Sequence, residues 1–208
     1  MNKIFSFFSL CLVLCVLLIA SCNSNYTIGK KKGYFKIDFP EKKYQQFDQP
    51  GYPYTFEYPV YANIIKDTTF FEDKPENPWW INIDIPHFAG RIYISYKEIG
   101  SRNRFDSLVN DAFKMAYKQH ANVSTGITDS PMVTPNDARG IYFSLAGNTA
   151  TANQFFLTDS VKHFLRGALY FDATPNEDSL SIVNDFLKQD IKHLINTLKW
   201  KPAYRTSR

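Results

Sequence analysis

Cysteine is almost missing from this chain. Of the three present, Cys11 and Cys15 lie inside the apolar run from Ile4 to Ala20, and only Cys22 lies beyond it. With that run removed, no intrachain disulfide is available and a cysteine-based zinc site is excluded, so the folded part must hold together by burial. Glycine is scarce as well, with nine residues, none of them arranged as a phosphate-cradling loop. The four histidines, at 87, 120, 163 and 193, stand far apart without H-E-x-x-H spacing, so neither a metal nor any other cofactor is expected. Neither sign of charge dominates. Lysine and arginine number 24 against 20 aspartates and glutamates, spread thinly, which gives nucleic-acid binding no support. The densest cluster, Lys30-Lys31-Lys32, falls short of the roughly four to eight basic residues that mark a lipid-headgroup site and reads as a solvated linker.

What is present begins at the N-terminus. A short charged start, the apolar run, and the small residues Ala20 and Ser21 directly before Cys22 form an export signal. Its end resembles the bacterial lipobox, which implies cleavage before Cys22 and acylation of that residue. The alternative is a retained transmembrane helix, for which Ile4 to Ala20 sits at the short edge of the roughly 17–25 residues needed to span a bilayer. The organisation expected is a signal peptide over 1–21, a polar tether over 22–32, one domain over 33–202 and a tail over 203–208. The tether would hold the domain at most about 40 Å from the bilayer.

Within the domain, Tyr34 to Phe39 alternates as a strand that Pro40 ends, and Tyr54–Tyr58 and Ala62–Ile65 read as short edge strands among recurring prolines. Ile81, Ile83 and Ile85 alternate with polar residues, Pro86 to Gly90 turns, and Ile92, Ile94 and Tyr96 alternate again, which predicts a hairpin. Phe105, Leu108, Val109, Ala112, Phe113, Ala116 and Tyr117 fall at steps of three and four, the stripe of a helix ending near His120. A loop containing Gly126, Pro131 and Pro135 follows, then strands over Gly140–Leu145, Thr151–Leu157 and Val161–Phe171 joined by short turns. Thr174-Pro175-Asn176-Glu177 reads as a capped start for a final helix, with Thr174 as N-cap, which Pro202 stops. The fold class expected is α+β, an antiparallel sheet flanked by two main helices.

Few residues suggest chemistry. Ser144 lacks the flanking glycines of a nucleophile elbow, and Asp38 and Asp84 alternate with apolar residues as the polar side of a sheet. No catalytic residue is assigned. Asp159, His163 and Arg166 are close enough in sequence to form a structural polar cluster at a strand end. Trp79, Trp80 and Arg91 are of the types that anchor protein interfaces and are the candidates for a partner surface.

Two segments carry a family resemblance: KKKGYFKIDFPEKKY from Lys30 to Tyr44, and the run from Gly140 through NTATANQFFLTDSVKHFLRGALYF to Phe171. With the lipobox and tether, they make the mature chain resemble the gliding-motility lipoprotein family GldD of the Bacteroidota. The resemblance implies an envelope component needed for surface gliding and for the associated type IX protein secretion machinery, with no known catalytic activity. Its partners would be the membrane, through the N-terminal lipid, and other gliding or secretion proteins. The place expected is the periplasmic face of the outer membrane, with the inner membrane as the alternative. The order of elements also resembles the Mog1/PsbP-like α/β/α arrangement, an analogy of fold that assigns no function. The competing class is a periplasmic ligand- or glycan-binding module, or an unrecognised hydrolase.

Overall fold

A computed structural model describes residues 36–67, 75–118 and 120–202. Cys22, the tether and the C-terminal tail lie outside the described residues. The compact unit Asp38–Arg208 carries the architecture below. Its strands are β1 (Tyr44–Phe47), β2 (Tyr54–Pro59), β3 (Asn63–Lys66), β4 (Ile81–Ile85), β5 (Gly90–Glu98), β6 (Ser124–Val133), β7 (Arg139–Gly147), β8 (Asn153–Thr158), β9 (His163–Phe171) and β10 (Lys199–Trp200). Its helices are α1 (Phe105–Tyr117) and α2 (Glu177–Thr197). Seven strands form one antiparallel sheet in the order β3-β4-β5-β9-β8-β7-β6, and β1, β2 and β10 form a smaller one with β2 in the middle.

Period-two alternation divides the large sheet into two faces. Register places Ile81 opposite Ile94, Ile83 opposite Ile92, and Ile92, Ile94 and Tyr96 opposite Leu169, Gly167 and Leu165. These residues share the face that receives α2 and the small sheet. Ile81, Ile83, Ile85, Ile92 and Ile94 are each at most 1% exposed. Each contributes about 1.5–3 kcal/mol as an upper estimate, since an unfolded chain already buries part of such surface. Leu187 of α2 reaches this face beside Gly90, and Tyr54 of β2 meets Tyr96 with ring centroids 5.8 Å apart. On the other face, α1 sets Leu108, Ala112 and Ala116 against Phe143, Leu145, Phe156 and Phe164. The layering is therefore α+β, an antiparallel sheet with a helix on each side.

Glycine is required where strands press closest. A Cβ at Gly140 would stand 1.8 Å from the Phe156 carbonyl oxygen, and one at Gly167 would stand 2.3 Å from the ring of Phe155. Both glycines keep neighbouring strands and their aromatic rings in contact.

Several expectations are corrected. Lys36 to Phe39 forms no strand: Phe39 packs instead against Phe186 of α2 at 4.5 Å and Phe88 at 5.6 Å, so its ring is used in a tertiary contact and its backbone joins no ladder. The Tyr54 strand is central in its sheet, and Pro59 is tolerated because it is the last strand residue. The segment read as a loop around Gly126 and Pro131 is β6, a ten-residue edge strand. An edge accommodates proline, whose nitrogen can face away from the ladder, and Gly126 marks a shift of register at Ser124. The cap of α2 is Asn176, whose side chain accepts from the Ser179 amide, two residues later than Thr174. The helix ends at Thr197, before Pro202, because Leu198 turns to extended backbone as its C-cap and Lys199 and Trp200 pair with β2.

Candidate functional site

The densest polar constellation joins the start of the domain to its last helix. Leu187, Ile191 and Leu194 give α2 its buried stripe, and Asp190 stands on that stripe with its side chain fully enclosed. Lys42 Nζ donates to Asp190 Oδ2 at 2.7 Å, Tyr44 Oη donates to Oδ1 at 3.0 Å, and the Tyr61 hydroxyl also donates to Oδ2. Lys42 additionally donates to the Phe186 carbonyl at 2.9 Å and lies 3.2 Å from the centre of the Phe186 ring, a cation–π contact. Burial lowers the Lys42 ammonium from its ordinary value, and Asp190 opposes that shift by hydrogen bond and charge. Burial is also the main cause that raises the Tyr44 and Tyr61 hydroxyls, so these stay protonated donors. The motif residues Lys42 and Tyr44 thus have a physical task, to fasten the entering chain to α2.

Of the residues singled out in the sequence, Asp159 and His163 come together. Asp159 Oδ1 accepts from the amides of Val161, Lys162 and His163 at 3.0, 2.8 and 2.8 Å, which shapes the β8–β9 turn. Burial pushes the Asp159 carboxyl up, but those three amides and the neighbouring His163 hold it below the usual carboxylate range. His163 Nε2 lies 4.0 Å from Asp159 Oδ2, its Nδ1 lies 2.6 Å from the Tyr96 hydroxyl, and its ring stacks on Trp200 at 4.9 Å. Burial lowers the His163 imidazole, against the pull of Asp159. Both polar edges and one face of this ring are engaged in packing.

Arg166 departs from that cluster. Three residues along a strand reverse the side-chain direction, so it emerges on the α1 face, where Nη2 donates to Gln154 Oε1 at 2.7 Å. Gln154 Nε2 lies 3.4 Å from His120 Nε2 in the turn after α1. Beyond His120, the same face of β4, β5 and β9 carries Asp84, Arg91, Tyr93 and Tyr170. Arg91 binds Asp84 Oδ1 through Nε at 2.9 Å and Nη2 at 2.8 Å, and the Tyr93 and Tyr170 rings meet edge-on at 5.5 Å.

Trp79, Trp80 and Arg91 do not make one patch. Trp80 is buried and donates its indole N–H to the Tyr96 carbonyl at 2.7 Å, whereas Trp79 is half-buried, edge-on to Tyr96 at 5.5 Å. Arg91 pairs with Asp84, toward the far end of the β4–β5 hairpin from both tryptophans. Among the described residues no group of three or more His, Cys, Asp or Glu side chains is placed to hold a metal ion, and no helix is long and apolar enough to cross a membrane.

The residues that sequence reasoning missed are Tyr61 and Asp190. Asp190 did leave a signal: an acid three residues after Leu187 and four before Leu194 lies on an apolar stripe and requires a buried partner.

Fold and site together define an antiparallel α+β domain whose first segment is clamped to its last helix by a buried, fully hydrogen-bonded carboxylate. Comparison with known families gives the next level. The profile of the family described as gliding motility lipoprotein GldD matches residues 24–200, and the chain belongs to that family. Membership makes it an envelope lipoprotein associated with gliding. A search of curated proteins finds no match. Among solved structures, the chain is similar to the solution structure of cyanobacterial PsbP from Synechocystis, at 9% identity and a TM-score of 0.47, over 78% of this chain and 95% of that one.

Proposed function

We propose that this lipoprotein is a non-enzymatic assembly component of the gliding machinery and of the associated type IX secretion system. It is anchored through acylated Cys22 and works at the periplasmic face of the outer membrane. The family match over 24–200 carries this reading, because it spans both motif segments and every strand and helix of the described domain. The geometry supports it: Lys42, Tyr44, Asp159 and His163, four of the motif segments' polar side chains, are engaged in tying elements to one another. Half-exposed Trp79 offers a partner an aromatic surface.

Crosslinking in intact envelopes followed by pull-down tests the proposal. The expected result is enrichment of motility or secretion components by the wild type and loss of that enrichment with Cys22→Ala, because tethering supplies the effective concentration near a membrane-bound partner. A folded, membrane-held protein that captures none of them would overturn it.

A further inference from the structure

The face of the large sheet that receives α2 stays open at its β6 edge, where Thr128 and Ser130 are exposed. Register carries that face outward from Ile94 through Gly167 and Phe155 to Tyr142. It then sets Ser130 of β6 opposite Tyr142 of β7, and Thr128 opposite Ser144. The last two strands therefore present four hydroxyl-bearing side chains, two from each, as one tile on the α2 side. Between this tile and α2 lies a cavity of about 510 Å³, lined by all four and by Met132, Ile195, Lys188 and Lys192.

Both charged side chains in this lining are cationic. Lys188 and Lys192 stand four residues apart on α2, which brings their Cβ atoms to about 5–6 Å and lets both ammoniums reach one anionic group. Lys188 leans over the floor, with Nζ 5.8 Å from the centre of the Tyr142 ring. That floor is fixed in advance. Tyr142 Oη donates to Asn153 Oδ1 at 2.5 Å, and Asn153 Nδ2 donates to Asn184 Oδ1 at 3.0 Å, a relay that ties β7 and β8 to the helix carrying the lysines. Asp185, one turn before Lys188, lines the adjoining cavity and not this one. Ammoniums act as point-charge partners of phosphate and carboxylate, and serine and threonine hydroxyls both donate and accept, as the hydroxyls of a sugar do. The volume is of the size that small ligands fill, and an inorganic anion alone would leave the hydroxyl tile unused.

We propose that this cavity binds a small anionic saccharide, its carboxylate or phosphate held by Lys188 and Lys192 and its hydroxyls by Thr128, Ser130 and Ser144. The site is independent of the partner-binding role proposed above.

The full-length lipoprotein in detergent is titrated calorimetrically at fixed ionic strength with glucuronate, glucose 6-phosphate, glucose and sulfate. Saturable one-to-one binding of at least one of the two anionic sugars is expected, with glucose and sulfate each at least tenfold weaker, and the tighter anionic sugar names the charged group. Lys188→Gln and Lys192→Gln should each weaken that binding about tenfold, and Thr128→Val, which keeps the shape and removes the hydroxyl, about threefold. Lys118→Gln, at the end of α1, removes the same charge elsewhere and should leave binding unchanged. Should Lys188→Gln fail to fold by circular dichroism, Lys192→Gln on its exposed side chain decides. Absence of saturable binding for both anionic sugars, glucose or sulfate binding as tightly as the better of them, binding unchanged in the folded lysine variants of α2, or an equal loss with Lys118→Gln overturns the proposal.

Discussion

Lys42 and Asp190 lie 148 residues apart in the chain and 2.7 Å apart in the fold. Because Asp190 is fully enclosed and also accepts from two tyrosines, the pair acts as a single latch between the entering segment and α2. Removing one member of a buried pair costs far more than the pair contributes. Asp190→Ala should therefore destabilise the domain by about 3 kcal/mol, measured by urea unfolding. Asp190→Asn, which keeps the shape and accepting oxygen, should cost less. Equal losses for the two variants would show that the charge, which both remove, accounts for the whole effect.

Gly167→Ala should lower the melting temperature through overpacking, at a cost of about 1–3 kcal/mol, since its Cβ would enter the Phe155 ring. Adding Phe155→Leu should recover part of that loss, so the double-mutant cycle should be non-additive. Gly140→Ala should be worse, because the obstacle there is the Phe156 backbone and no side-chain change can relieve it.

Stability should fall on mild acidification. Burial depresses the imidazoles of His163 and His120 below the ordinary value of 6.5, so the unfolded chain takes up protons first. Their contribution is present in full above pH 6.5 and is lost as pH drops through the folded values. Melting curves recorded from pH 8 to pH 5 should be flat above about pH 7 and decline below it. His163→Gln should shallow that decline; an unchanged slope would exclude His163 as its source.

The neighbouring tryptophans should separate folding from partner contact. Trp80→Ala removes a buried indole and its hydrogen bond and should cost about 3–5 kcal/mol. Trp79→Ala should leave a folded domain and reduce the yield of envelope crosslinks. Full crosslinking with folded Trp79→Ala would remove this ring from the proposed interface.

How much of this was legible in advance follows from the physics of each element. The β4–β5 hairpin and both helices announced themselves because their burial is one-sided, leaving a clean period in the sequence. β6 did not, since an edge strand exposed on most of its length has no alternation to display and carries proline besides. The two-residue β10 is held by pairing to a strand at the other end of the chain, which no local window contains. The site followed the same division. Asp159 and His163 are joined through one turn, so sequence proximity sufficed to group them, whereas Arg166 points to the other face because a strand reverses direction with each residue. The partners of Lys42 lie a full domain away, so the motif could be seen while its purpose could not.

The pairing of Lys199 and Trp200 with β2 sets an order of events. The small sheet cannot be completed, nor can Trp200 stack on His163, until the chain has been made past Trp200. A chain made from its N-terminus therefore carries β1 and β2 without their third strand until β10 arrives, and the contacts that would lock them are of the slow, sequence-distant kind. A domain closed by its final strand stays open to rearrangement until that strand is in place.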